Sequence, residues 1–254
     1  MDAKRFEEAR RVLAEARFLL VLTGAGISAE SGVPVFRGPG GYWRNRHFSE
    51  LANSEAFERE PRTVWDWYLE RRGTVRLCSP NAAHEALAAW SRRRGAADES
   101  PGALVTQNVD GLHERAGHQG VVRLHGTLWR NRCSGCGRER EDASLTWHDL
   151  PRSPCCGAVE RPAVVWFGES LPRAALDAAI DAVQQADAAL VIGTAGVVYP
   201  AAGLVERVRS NGAPIVEVNP DEDYGMGDRG AFGGIWLRAA AGAVVPALLA
   251  SPPG

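Results

Sequence analysis

Three groups of residues in this sequence have the types and spacing that chemistry requires. Thr106-Gln107-Asn108-Val109-Asp110 closes a short apolar stretch at Ala103 to Thr106 and sets polar side chains side by side where a strand ends. Such groups are costly to bury without partners, so the run reads as a ligand-binding edge; a polar turn with an Asx cap is the plainer alternative. His125 follows a second short strand, Val121 to Leu124, in Leu124-His125-Gly126-Thr127. An imidazole near neutrality suits a general base, although a histidine beside a strand can equally be structural. Cys133-x-x-Cys136 is half of a tetrahedral zinc site, and Cys155-Cys156 offers the other half.

These groups need a frame, and the stretch from Phe18 to Trp43 supplies its first part. An apolar run rich in Leu and Val reads as a buried parallel strand. It breaks at Gly24-Ala25-Gly26, where the chain can turn sharply and bring bare backbone N–H groups to a phosphate. Gly24-x-Gly26-x-x-Ala29 fits a loose dinucleotide fingerprint, with a helix expected from about Ser28. A loop follows at once, Val33-Pro34-Val35-Phe36-Arg37-Gly38, with an aromatic and an arginine between breakers, so a bound cofactor would be covered by a lid.

GAGIS-x-x-SG-x-P-x-FRG resembles the signature of sirtuins, the NAD-dependent protein deacylases, and TQN-x-D resembles their second motif. The resemblance covers essentially all of the chain after residue 17. It implies that Gly24, Ala25, Gly26, Glu30, Phe36 and Arg37 contact NAD, and that Gln107, Asn108 and Asp110 line the nicotinamide ribose and pocket. Gly193 and Thr194 would face the phosphates and ribose, and Asn219 the adenosine ribose. Sirtuins commonly carry serine where Ala195 stands, so one hydroxyl contact is missing there. His125 would be the catalytic base and Asn108 would orient the ribose or a water. The implied reaction is attack of the acyl-lysine oxygen on the ribose, release of nicotinamide, and formation of 2′-O-acyl-ADP-ribose. Arg161 to Glu169 resembles the acyl-peptide cleft, in which Val164, Trp166, Phe167 and Gly168 would pair an extended substrate as an added strand. A mono-ADP-ribosyltransferase and a non-catalytic NAD sensor remain open beside the deacylase.

In sirtuins resembling this chain, the first ligand of the second cysteine pair falls at Ser153. Serine is a poor zinc ligand, so the expected structural site is Cys133, Cys136, Cys155 and Cys156 on a shifted loop, with a three-coordinate or empty site as the alternative. For the acyl group, Tyr68 and Arg71 lie three apart on an expected helix, Pro61 to Val75, and share a face. A guanidinium fork beside a phenol suits a short dicarboxylate, and Y-x-x-R here is similar to the desuccinylase and demalonylase branch, as is Tyr199. The alternatives are a plain deacetylase, and a solvated basic helix end at Arg71 and Arg72.

The rest of the chain bounds these readings. Its 254 residues suit one α/β domain: a Rossmann-like parallel sheet with helices on both faces and a small zinc-binding insert. The expected division is a large part over about 1–35, 96–125 and 163–254, a helical and lid insert over 36–95, and a zinc module over 126–162. The strand Ala163 to Trp166 is expected to return to the main fold. From Leu171 a helix to Gln185, strand Ala188 to Ile192, helix to Ser210 and strand Pro214 to Val218 alternate as right-handed βαβ units, and a last helix spans Gly242 to Leu249. A net charge of −2 gives no footprint for nucleic acid, and no apolar run approaches a membrane span. Lys4 is the only lysine. Five cysteines, four in one region, argue against a secreted disulfide framework, so a cytosolic monomer is expected, with Cys78 as buried filler. The other five histidines, His47, His84, His113, His118 and His148, read as packed or solvated.

Overall fold

The computed structural model describes residues 2–35, 42–43, 46–96, 102–194, 201–220 and 230–250. The amphipathic opening forms α1 (Ala3–Glu15), capped by the Asp2 carboxylate, which accepts from the Lys4 amide at 2.9 Å. The apolar run becomes β1 (Leu19–Thr23), buried at every residue. A 3₁₀ turn over Ala25–Ser31 follows, then β2 (Tyr42–Trp43), β3 (Arg46–His47), α2 (Ser54–Arg59) and α3 (Pro61–Leu77). Next come α4 (Ala82–Ala96), β4 (Gly102–Thr106), α5 (Leu112–Arg115), β5 (Val122–Arg123), β6 (Gly126–Cys133), β7 (Glu139–Glu141) and β8 (Glu160–Val164). The chain then runs through α6 (Arg173–Gln185), β9 (Ala188–Ile192), α7 (Ala201–Ser210), β10 (Ile215–Val218), β11 (Ile235–Leu237) and α8 (Ala241–Leu248). Among the described residues no helix is long and apolar enough to cross a membrane.

Six strands form one parallel sheet in the order β11-β10-β9-β1-β4-β5. From β1 the chain winds outward one way through β4 and β5 and the other way through β9, β10 and β11. The order therefore reverses between β1 and β9, and that is where open α/β sheets bind ligands. Strand alternation sends Leu19 and Val21 to a layer with α1, α4 and α8, and Leu20 and Leu22 to a layer with α6 and α7. Both faces are covered, which is why β1 and β9 are continuously apolar.

β6, β7 and β8 make a separate antiparallel sheet in the order β7-β6-β8. It packs on α2 and α3 through Phe57, Trp65, Tyr68, Leu128 and Trp166.

Four local features differ from the sequence expectation. The strand near Ala163 does not return to the parallel sheet: β8 pairs antiparallel with β6, and an apolar run alone does not say which sheet it will join. The helix after Gly26 is a single 3₁₀ stretch, ended by Gly32 at φ 88° with Pro34 just beyond. The helical segment 36–95 divides, α3 going to the small sheet while Leu87 and Trp90 of α4 enter the core of the large one. β11, unread in the sequence, adds a sixth strand.

Candidate active site

The carboxyl ends of β1 and β9 meet at three glycines. Gly24 donates to the Ile192 carbonyl at 2.9 Å and Gly26 to the Gly193 carbonyl at 2.8 Å. A Cβ on Gly24 would lie 2.7 Å from the Gly193 oxygen, and one on Gly26 would lie 2.6 Å from the Gly193 Cα. Gly193 itself has φ 59°, a conformation that favours glycine. The sequence read the Gly24 and Gly26 amides as bare donors for a phosphate. In the structure they bind the neighbouring strand end, and the glycines serve close approach of the two loops. Ala25 opens the 3₁₀ turn beside them.

Polar side chains from four strand ends converge around this contact. Gln107 Nε2 donates to Thr194 Oγ1 at 2.9 Å, and Asn219 Nδ2 donates to the Thr194 carbonyl at 3.3 Å. Asn108 Nδ2 donates to the Gly24 carbonyl at 3.0 Å and reaches Ser28 Oγ at 3.3 Å. Ser28 in turn donates to Asp110 Oδ2 at 2.8 Å, while Asp110 Oδ1 accepts from the Leu112 amide at 2.8 Å. Burial pushes the Asp110 carboxyl up, against these two bonds. Carboxamide, hydroxyl and carboxylate groups at a topological switch point are the donor set that a nucleotide with ribose and amide groups requires.

His125 lies beside them, half-buried, with Nδ1 3.0 Å from the Gln107 carbonyl. A carbonyl only accepts, so Nδ1 carries the proton and Nε2 keeps its lone pair, as a base must. Burial lowers the pKa of His125 below the usual histidine value, so the ring is neutral at physiological pH. The residue after His125 must be glycine: Gly126 has φ 76°, and a Cβ on it would lie 2.1 Å from the Ala163 oxygen of β8.

The Val164–Gly168 segment runs directly past His125, because the Val165 amide donates to the His125 carbonyl at 2.9 Å. Val164 pairs with Gly126, and the Phe167 amide donates to the Ala52 carbonyl at 2.9 Å. Phe167 is 53% exposed, a large apolar side chain left at the surface, and Gly168 turns the chain at φ 84°. Trp166 is buried; Arg161 lies over its ring and is paired with Glu169. The Trp166 indole donates to Tyr68 Oη at 2.9 Å, joining this segment to α3. Burial pushes the Tyr68 phenol up to about 12, and burial lowers the pKa of Arg71, against the pull of Tyr68 and Asp110. The Arg71 guanidinium lies 5.4 Å from the Trp67 ring centre. Arg72 is fully buried, so the two arginines are not a solvated helix end.

Glu30 is directed elsewhere: its carboxylate accepts from the Gly242 amide at 2.6 Å, at the start of α8. Phe36, Arg37, Ala195 and Tyr199 lie outside the described residues.

Behind Asn108 sits a buried histidine group that the sequence reading did not connect to the site. His84 Nε2 is 3.5 Å from Ser28 Oγ, His113 Nε2 is 2.9 Å from Thr23 Oγ1, and the two rings are 4.8 Å apart. Burial lowers His84 to about 4, and His113 and His118 also fall below the usual value. Asn81 stands three residues before His84. It caps α4 through the Ala83 amide at 3.0 Å and also donates to the Ile27 carbonyl at 2.7 Å.

Cys133, Cys136, Cys155 and Cys156 converge, with all four sulfurs within 4.8 Å of one another. Sulfurs at about 2.3 Å from one zinc ion sit roughly 3.8 Å apart, so the set fits a closed tetrahedral site. Cys155 therefore fills the place the sequence left in question at Ser153, whose hydroxyl lies 3.1 Å from the Cys155 sulfur. Cys78 is buried apart from them.

The doubly wound sheet with a polar site at its switch point and a four-cysteine module defines a class, a nucleotide-binding α/β protein with a structural metal insert. The Sir2 family model matches residues 24–200, and the chain belongs to that family. It is 44% identical to an NAD-dependent protein deacylase of Thermococcus kodakarensis over 251 residues, covering 95% of this chain and 93% of that one. A solved Sir2 homolog–NAD complex superposes with a TM-score of 0.86 at 43% identity, over 96% of this chain and 92% of the other. A Sir2–p53 peptide–NAD⁺ complex gives 0.81 at 31% identity, over 98% of each chain.

Proposed function

We propose that this chain is an NAD-dependent protein-lysine deacylase that prefers succinyl and malonyl groups. Family membership and the named deacylase relative support the coarser statement. The observation that carries the acyl preference is the pair of Tyr68 and Arg71 on one face of α3. Arg71, half-buried, holds its guanidinium 5.4 Å from the Trp67 ring centre, three residues along the helix from Tyr68. Tyr68 Oη accepts from Trp166 and, with its pKa near 12, keeps a proton to donate. A phenol donor beside a guanidinium fork suits a carboxylate at the end of a short acyl chain.

NAD, when bound, supplies a glycosidic bond to nicotinamide whose cleavage drives acyl transfer. The chain's own part is binding, orientation and proton transfer. Asn108 and Asp110, both held to the Gly24–Ser28 turn, would orient the nicotinamide ribose and amide. Gln107, Thr194 and Asn219 would hold the ribose and phosphate side. His125 Nε2 would take a proton from a ribose hydroxyl. The extended Val164–Gly168 segment would pair with an acylated peptide, as the peptide complex of the Sir2 relative supports. Cys133, Cys136, Cys155 and Cys156 would hold zinc, whose closed site gives the small sheet rigidity and leaves no coordination position for substrate. Thiols that act as ligands must stay reduced, which favours the cytosol.

The test is nicotinamide release from succinyl-lysine and acetyl-lysine peptides of one sequence, with wild type and Arg71→Met. Succinyl preference that drops about thirtyfold in the variant is expected, the loss when a charge-assisted bond of about 2 kcal/mol goes. Equal or better acetyl activity, unmoved by the substitution, overturns the dicarboxylate reading.

A further inference from the structure

Arg72, next to Arg71 on α3, is directed into the small sheet. Its guanidinium is wholly buried, and each nitrogen has an acceptor. Nε donates to the Leu128 carbonyl at 2.7 Å. One terminal nitrogen donates to Asp142 Oδ1 at 3.2 Å and the Ser144 carbonyl at 3.1 Å, the other to Asn131 Oδ1 at 2.9 Å. The contacts continue into a closed ring. Asn131 Nδ2 donates to Glu160 Oε2 at 3.0 Å, Arg140 donates to Glu160 Oε2 at 2.6 Å, and Arg140 donates to Asp142 Oδ2 at 2.8 Å. Asn131 lies on β6, Arg140 on β7 and Glu160 on β8, with Asp142 just beyond β7. Trp65 adds a further tie from α3, its indole donating to the Glu160 carbonyl at 2.8 Å.

Apolar contacts alone would hold α3 against the sheet while letting it roll. A buried fork with acceptors on several elements fixes its rotation about the helix axis. Residue 71 lies about 100° around the helix from residue 72. A roll of roughly 10° would move a side-chain tip some 5–6 Å from the axis by about 1 Å. Displacements of about that size are the ones that cost a positioned charge its productive geometry.

We propose that Arg72 is a positioning residue for acyl recognition: anchored in the Asn131–Glu160–Arg140–Asp142 ring, it sets the rotation of α3 and so the placement of Tyr68 and Arg71. This inference rests on the acyl-recognition role proposed for those two residues.

The test is steady-state kinetics on Arg72→Lys, which keeps the charge without the fork, and Asp142→Asn, which keeps the shape without the charge. Succinyl and acetyl peptides are compared, with folding checked by circular dichroism. A rise of about fivefold or more in KM for the succinyl peptide is expected, with KM for NAD held within about twofold and the succinyl-to-acetyl ratio falling. Should Arg72→Lys fail to fold, Asp142→Asn decides. An equal rise in both KM values, or a lower melting temperature with unchanged kinetics, overturns the inference and leaves a purely structural ring. Arg71→Met run alongside separates the two claims. Unchanged succinyl activity there overturns the acyl-recognition reading, whereas a loss there with unmoved Arg72→Lys and Asp142→Asn overturns only the positioning role.

Discussion

At the carboxyl edge of the parallel sheet, functional side chains are tied largely to main chain. Asn108 binds the Gly24 carbonyl, His125 the Gln107 carbonyl and Asn219 the Thr194 carbonyl. In the small sheet a closed set of ties runs from side chain to side chain, beside the bonds of Arg72 to the Leu128 and Ser144 carbonyls: Arg72, Asn131, Glu160, Arg140 and Asp142 hold one another, and four cysteines meet at one point. The first arrangement makes each residue's position a consequence of its strand. The second is a mutual arrangement, in which removing one partner leaves another buried and uncompensated at a cost of about 3–5 kcal/mol. The strand-end region is therefore tolerant in its frame and demanding in its chemistry, and the small sheet is the reverse.

The largest expected effect tests whether the two regions are separable. Cys155→Ala removes one of four ligands from the metal cluster, and a three-sulfur site binds zinc far more weakly. Bound zinc should fall to near zero and amide protection in β6–β8 should collapse, with peptide turnover lost. NAD binding measured by calorimetry should persist, since the residues proposed for it lie at the carboxyl ends of β1, β4, β9 and β10. Ser153→Ala, which removes only a hydroxyl 3.1 Å from Cys155, should leave zinc stoichiometry unchanged. Loss of zinc in the serine variant would show that Ser153 has a share in the site.

His125→Ala makes the complementary break. It should lower kcat by about 10²–10⁴, the range for a general base, with melting temperature and zinc content unmoved. A comparable fall in melting temperature would mean that the ring's bond to Gln107 is structural first.

The contrast also explains what the sequence could disclose. Polar residues at strand ends are adjacent in sequence, as in Thr106 to Asp110, so spacing pointed to a polar edge there, and the family resemblance rather than spacing supplied its roles. The parallel sheet was legible for the same reason, since β1, β9 and β10 are apolar runs with helices between them. The ring from Arg72 to Glu160 spans nearly the whole of the small module, and nothing in the spacing of its members joins them. Ser28 and His84 were equally obscure, because their meeting depends on α4 packing against the large sheet rather than on any local pattern. The pairing of β8 with β6 was not legible, because apolar content does not encode a partner. Cys155 could be named as a ligand, but its convergence with the other sulfurs needed the loop geometry.

The smallest expected effect distinguishes the regions by pH. Burial holds His84 at about 4 and lowers His113, so between the unfolded value of 6.5 and these lower values the unfolded chain binds protons that the native fold excludes. Stability then rises with pH, and acidification through 6.5 removes up to about 1.4 kcal/mol per pH unit for each such histidine. The small sheet depends on pH with the same sign but in a lower window. Burial pushes the Glu160 carboxyl up, but the bonds from Arg140 and Asn131 outweigh it and hold it below the usual 4.5. Its contribution is complete above 4.5 and is lost only as pH falls through that lower value. Native-state hydrogen exchange, corrected for intrinsic rates, should therefore show α4 and α5 loosening between about pH 6.5 and 5 while β6–β8 keeps its protection. A chromogenic chelator in parallel reports whether zinc stays bound across that interval. Simultaneous loosening of both regions with zinc retained would mean that the histidines and the ion-pair ring belong to one cooperative unit.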